Sequence, residues 1–157
     1  MKTYIINPDN NKPVPIEDWR KDENPTRAQL LAVETDDGHL LVLSKSYLPG
    51  LHEFDEAQKA AADFKPLEGV TFRCPTRKEC IDLYDARFVG GLDDALKLVG
   101  GDEMSGTIWT SDVDVDPWFA RRYNANYACF FHQTYGTLNN YNVTNAYRCR
   151  ACTLLTI

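Results

Sequence analysis

Asp112, Asp114 and Asp116 alternate with valine in the stretch DVDVDP, and carboxylates at that spacing could ligate a hard cation such as calcium. An EF-hand loop would need glycine where Pro117 stands and a bidentate glutamate where Tyr123 stands. Neither is present, so the three aspartates are weak metal candidates and a solvated acidic loop is the plainer reading. The five cysteines (Cys74, Cys80, Cys129, Cys149, Cys152) are odd in number and irregularly spaced, which fits buried free thiols better than a disulfide framework. Cys149-x-x-Cys152 has redox or zinc spacing, but it lies in AYRCRACTLL, which reads as a strand. Residues three apart on a strand point to opposite faces. His39, His52 and His132 are far apart, and His132 with Cys129 falls short of the three or four ligands of a zinc site. The sequence has no G-x-S-x-G, no P-loop and no G-x-G-x-x-G. No catalytic residue is assigned, and no cofactor is expected.

A different chemistry is concentrated in residues 123–152, which hold six asparagines and five tyrosines. Tyrosine and tryptophan give broad, rigid contact area at low entropic cost, and asparagine gives adaptable hydrogen bonds, as in antibody loops. Arginine adds a planar donor fork for carboxylate or phosphate. The expected ligand face is therefore Trp118, Phe119, Arg121, Arg122, Tyr123, Asn124, Tyr135, Asn139, Asn140, Tyr141 and Asn142. Strand core and turn chemistry compete for the same residues. Tyr127, Cys129 and Phe131 alternate with Ala128 and Phe130, and loop asparagines supply turn geometry without any ligand.

The elements that must position this face are legible in outline. QLLAVETDDGHLLVLS reads as two strands, 29–35 and 39–44, joined by Asp37-Gly38. HEFDEAQKAAADF places Phe54, Ala57, Ala61 and Phe64 at helical spacing. A second helix starts at Pro75 or Thr76, with Thr76 and Glu79 forming a capping box and Cys80, Leu83 and Tyr84 an apolar stripe. LDDALKLVGG is a short helix ended by glycine. Beyond it come a short strand GTIWTS, an irregular loop, the strand YACFFHQ, a turn or loop TYGTLNNYNVTN, and a closing strand over 147–155. Helices followed by strands and long loops make the class α+β. Residues 1–27, rich in Pro, Asn and Asp, read as an N-terminal arm with little regular structure beyond TYII, followed by one domain over 28–157.

At 157 residues with 43% hydrophobic residues the chain is long enough for a real core. A net charge of −6 argues against a nucleic-acid partner. No apolar run approaches the roughly 20 residues needed to cross a bilayer, and the start lacks the apolar core of a signal peptide. A cytoplasmic or virion-associated protein is expected, with the arm as the element a homo-oligomer would use.

Three segments together resemble a family of uncharacterised bacterial and phage proteins with a C-type-lectin-like fold, related to the major-paralogous-domain and formylglycine-generating-enzyme-like groups. They are LLAVETDDGHLLVLSKSYLPGLHEFDEAQKAAADF, then FRCPTRKECIDLY, then GTIWTS with NYACFFHQTYG and AYRCRAC. The resemblance implies small antiparallel sheets, two main helices and long loops, with the C-terminal strand in the same sheet as the hairpin. Phe72 and Cys74 stand where the family has tryptophan and leucine. The cysteine pair of the formylglycine-type enzymes does not map onto these five cysteines. The stretch rich in Asn and Tyr is also similar to the variable proteins of diversity-generating retroelements, including phage tail receptor-binding proteins. That branch implies a non-enzymatic module recognising a protein or glycan; the alternatives are a small enzyme of the formylglycine-generating group and a structural oligomer subunit.

Overall fold

The computed structural model describes residues 1–112 and 127–156 and, of residues 127, 128, 140 and 141, the backbone alone. Among the described residues the class is α+β, with four helices and two antiparallel sheets. The larger sheet has the order β2-β1-β3-β4-β8, built from β1 (Thr3–Ile6), β2 (Pro13–Pro15), β3 (Leu30–Glu34), β4 (His39–Ser44) and β8 (Cys152–Thr156). The smaller has the order β5-β6-β7, from β5 (Thr107–Trp109), β6 (Tyr127–His132) and β7 (Thr137–Asn142).

The β3–β4 hairpin is central, and both of its faces are covered. Leu30, Ala32, Leu40 and Val42 face helix α2 (Phe54–Asp63) through Phe54, Ala57 and Ala61. Leu31, Val33, Leu41 and Leu43 face helices α3 (Arg77–Val89) and α4 (Leu92–Val99) through Leu83, Ala86, Leu92 and Leu96. Burial on both sides explains why LLAVE and HLLVLS are nearly continuous apolar runs instead of alternating ones. The turn between them places Gly38 at φ +79°, a conformation that glycine adopts without a Cβ clash.

Helix α3 begins with the expected capping box: Thr76 accepts from the Glu79 amide at 3.2 Å, and the Glu79 carboxylate accepts from the Thr76 amide at 2.8 Å. Helix α2 has a second, with Glu53 as the N-cap and Glu56 reaching back. Helix α4 ends at Gly100 in the left-handed region, as its sequence predicts.

The segment read as an arm is folded into the sheet. Strand β1 lies between β2 and β3, Ile5 is fully buried, and the short helix α1 (Ile16–Trp19) buries Trp19 among α4 and β3 side chains. The Trp19 indole donates to the Pro25 carbonyl at 2.9 Å. Regular structure therefore extends past TYII, because β3 offers β1 a ladder that outweighs the poor local propensity.

Two strand boundaries differ from the sequence reading. Residues 137–142, expected as turn or loop, form β7 and pair with β6 from Tyr127↔Asn142 to His132↔Thr137. Asparagine is a poor strand former, but six ladder rungs and the packing of Leu138 beside Phe131 override that preference. The closing strand pairs with β4 only from Cys152 onward, in the sheet expected. Residues 147–151 instead run beside 44–52, joined by the Ser44–Ala151, Leu48–Cys149 and His52–Tyr147 backbone bonds. No helix among the described residues is long and apolar enough to cross a membrane.

Candidate functional site

Much of the expected ligand face, Trp118, Phe119, Arg121, Arg122, Tyr123 and Asn124, lies outside the described residues, as do Asp114 and Asp116. Asn140 and Tyr141 lie on β7, where their backbones pair with Cys129 and Ala128. Of the remainder, Tyr135 is 71% exposed and Asn139 is exposed on β7. Asn142 is half-buried, and its amide oxygen accepts from the Thr144 amide (3.0 Å) and hydroxyl (2.9 Å), so it builds the turn after β7. Asp112 does structural work too: its carboxylate accepts from the Arg77 amide at 2.8 Å, in the first turn of α3. No cluster of three or more His, Cys, Asp or Glu side chains suited to a metal exists among the described residues.

The β6–β7 turn carries the exposed aromatic. Tyr135 stacks on His132 with ring centroids 4.6 Å apart and planes 27° from parallel. Beside it, Gly136 at φ +68° presses its bare Cα against Tyr84 of α3; a Cβ there would lie 2.7 Å from the ring. Tyr84 makes edge contacts to Phe88 (5.0 Å) and Phe131 (6.3 Å). Arg87 ties the two elements together by donating to the Gln133 carbonyl (2.9 Å) and to Asp93 (3.0 Å). The result is one surface running from Tyr135 over Tyr84 to the last turn of α3, where Phe88 is 65% and Val89 74% exposed. The sequence analysis missed Phe88 and Val89. Their signal was present in RFVGG, two bulky apolar residues just before a helix stop.

The turn rests on a rigid base. Gln133 is fully buried, and its amide donates to the Tyr47 hydroxyl (2.8 Å) and the Ser105 carbonyl (3.0 Å). Below Tyr47 lies the buried guanidinium of Arg150, 4.4 Å from the ring centroid. Arg150 donates to the carbonyls of Ser44 (2.8 Å), Lys45 (2.9 Å) and Asp102 (2.8 Å). Burial holds its pKa below that of a free guanidinium, with Tyr47 and Asp102 offsetting part of the shift.

A second polar cluster sits inside the core. Arg73 clasps Glu79 with both guanidinium nitrogens, one at 2.8 Å. Burial pushes the Glu79 carboxyl up, but the Arg73 fork and the Thr76 amide outweigh it and hold the group below its ordinary range. The Cys152 sulfur lies 3.7 Å from Arg73 and 3.9 Å from Glu79. Cys74 and Cys149 have their sulfurs 3.6 Å apart. All five thiols are buried and free. Hydrogen bonding and burial raise the Cys74 thiol, and burial raises Cys80 and Cys152. Raised, enclosed thiols are poor nucleophiles, so this cluster is core packing. Cys149 and Cys152 belong to the two opposite hydrophobic clusters, as their spacing predicts.

No family model and no curated protein matches the chain. What the geometry offers is contact chemistry: an exposed, pre-positioned tyrosine, with Asn139 exposed on the adjoining strand, on a base held by buried hydrogen bonds.

Proposed function

We propose that this protein is a non-enzymatic recognition module with a C-type-lectin-like fold, binding a protein or glycan through the face centred on the β6–β7 hairpin. The observation that carries the reading is Tyr135, a ring 71% exposed yet held in place by His132, with its turn anchored through Gln133 and Arg87. An exposed aromatic of this kind loses little conformational entropy on binding, which is what makes tyrosine a frequent hot spot. Asn139 on the adjoining strand supplies the adaptable donor and acceptor. The fold part of the reading is supported by the capped pair of helices and the return of β8 to the hairpin, which match the arrangement the resemblance implies. The role of a phage or mobile-element variable protein is the narrowest form of the same reading, resting on the Asn and Tyr content.

The test uses a glycan array and a peptide display library, both probed with the wild-type protein. A ligand selected from either should bind Tyr135→Ala more weakly by about 2 kcal/mol, roughly thirtyfold, the size of a hot-spot loss. Melting should change little, because exposed substitutions cost within about 0.5 kcal/mol. If no ligand emerges from either source, or if Tyr135→Ala and Asn139→Ala bind it like wild type, this face is not the recognition site.

A further inference from the structure

Away from the β6–β7 hairpin, we infer that the cleft between β1, α1 and the start of α4 binds a free amino acid with an apolar side chain. The cleft measures about 400 Å³, within the size range of small-molecule sites. Thr3 is the wall that points to a ligand. It is 5% exposed, and its Oγ1 is buried with no hydrogen-bond partner among the described residues. Alternation along β1 puts Thr3 on the face of Ile5, which shares a core cluster with Leu92 and Ala95 of α4, so the hydroxyl looks toward the cleft that Thr3 lines. A buried hydroxyl left unpaired is costly, and a ligand oxygen would satisfy it. Backbone donors open on the same space. Helix α4 starts from Gly91, which lines the cleft at φ +78° and provides no side-chain cap. The first-turn amides of a helix have no intrahelical partner and favour an anionic group.

Charge selects among small ligands. Lys2 and Arg20 share the cleft with Glu17 and Asp94. None of these four forms an ion pair among the described residues, so the opposite charges are held out of reach of one another. A simple anion would meet two carboxylates there, and a simple cation two basic groups. An α-amino acid carries both charges on one carbon and meets both needs. Its carboxylate suits the Arg20 fork, Lys2 and the Thr3 hydroxyl, and its ammonium suits Glu17 and Asp94. Pro15 and Ile16 supply an apolar wall for its side chain.

The experiment is calorimetric titration of the wild-type protein with free L-leucine, L-isoleucine and L-phenylalanine. At least one should bind with a Kd of about 1 mM or tighter. Its amide, which lacks the carboxylate, and its deaminated acid, which lacks the ammonium, should each bind about tenfold more weakly or worse. Thr3→Val keeps the shape and removes the hydroxyl. Affinity should fall about tenfold while melting stays level or rises, because an unpaired buried group has gone. Arg20→Gln should also lose about tenfold in affinity, through the missing guanidinium fork. Tyr135→Ala should bind the amino acid like wild type, which separates this cleft from the recognition face. No binding of any of the three amino acids overturns the inference. So does equal binding of the amide or the deaminated acid, wild-type affinity in Thr3→Val or Arg20→Gln, lower melting of Thr3→Val, or a loss of binding in Tyr135→Ala.

Discussion

Gly136→Ala isolates the contact that joins the recognition hairpin to α3. Two costs are expected. The backbone term comes from φ +68°, where a Cβ crowds the following carbonyl by about 1–2 kcal/mol. The steric term comes from Tyr84, whose ring atoms would sit 2.7, 2.8 and 2.9 Å from the new Cβ. That ring is hemmed by Phe88 and Phe131 and cannot swing away freely, so overpacking adds about 1–3 kcal/mol. Gly38→Ala is the internal control, because Gly38 has φ +79° but no atom within 4 Å of its Cβ position. It carries the backbone term alone. At about 2–4 °C per kcal/mol for a chain of this size, Gly136→Ala should melt about 2–12 °C below Gly38→Ala. Thermal and urea unfolding followed by circular dichroism would read this difference. In a Tyr84→Ala background, Gly136→Ala should cost little beyond the backbone term, which isolates the steric one. If the two glycine variants lose the same stability within about 0.5 kcal/mol, the close approach of hairpin and helix is wrong.

Glu79→Gln breaks a charged fork and weakens the α3 capping box; with Arg73 partly exposed to solvent, the cost should be about 1–3 kcal/mol. Because the Glu79 carboxyl is held below its ordinary value, its contribution is full above the unfolded-state pKa and is lost as pH falls through the lower folded one. Wild-type melting should therefore fall in acid more steeply than that of Glu79→Gln, and parallel curves would remove the pair from the account. In the native protein all five thiols should react slowly with a thiol reagent and rapidly once unfolded in guanidinium; fast native labelling of any of them would show that its burial is wrong. Asn142→Ala should cost about 0.5–1.5 kcal/mol in urea unfolding through the lost turn bonds. Ligand affinity should stay unchanged, and a clear loss of binding would return Asn142 to the recognition face.

What the sequence made legible was what is written locally. The Asp37-Gly38 turn, the Thr76/Glu79 box and the Gly100 stop each need only neighbours in the chain, and each stands where expected. Strand β7 and the sheet position of residues 3–6 were not legible, because their stability comes from partners: β6 for an asparagine-rich strand, β3 for a segment followed by Pro8, Pro13 and Pro15. The candidate site divides the same way. Composition pointed to Tyr135 and Asn139, but Phe88 and Val89 matter only because α3 ends beside the hairpin, a fact of packing. Asn142 illustrates the opposite error, an amide that composition counts as recognition and geometry commits to a turn.

The strand order β2-β1-β3-β4-β8 also has a consequence in time. Strand β4 ends at Ser44, and its second partner begins at Cys152, more than a hundred residues later. At a synthesis rate of about 5–20 residues per second, the ribosome leaves that edge unpaired for roughly 5–20 s. During that interval Leu41 and Leu43, fully buried in the finished fold, border an open strand edge of the kind that recruits other chains. A nascent chain that has completed α1 to α4 still carries this edge, so the arrival of β8 decides whether the β3–β4 hairpin is closed by its own chain or by a neighbour's.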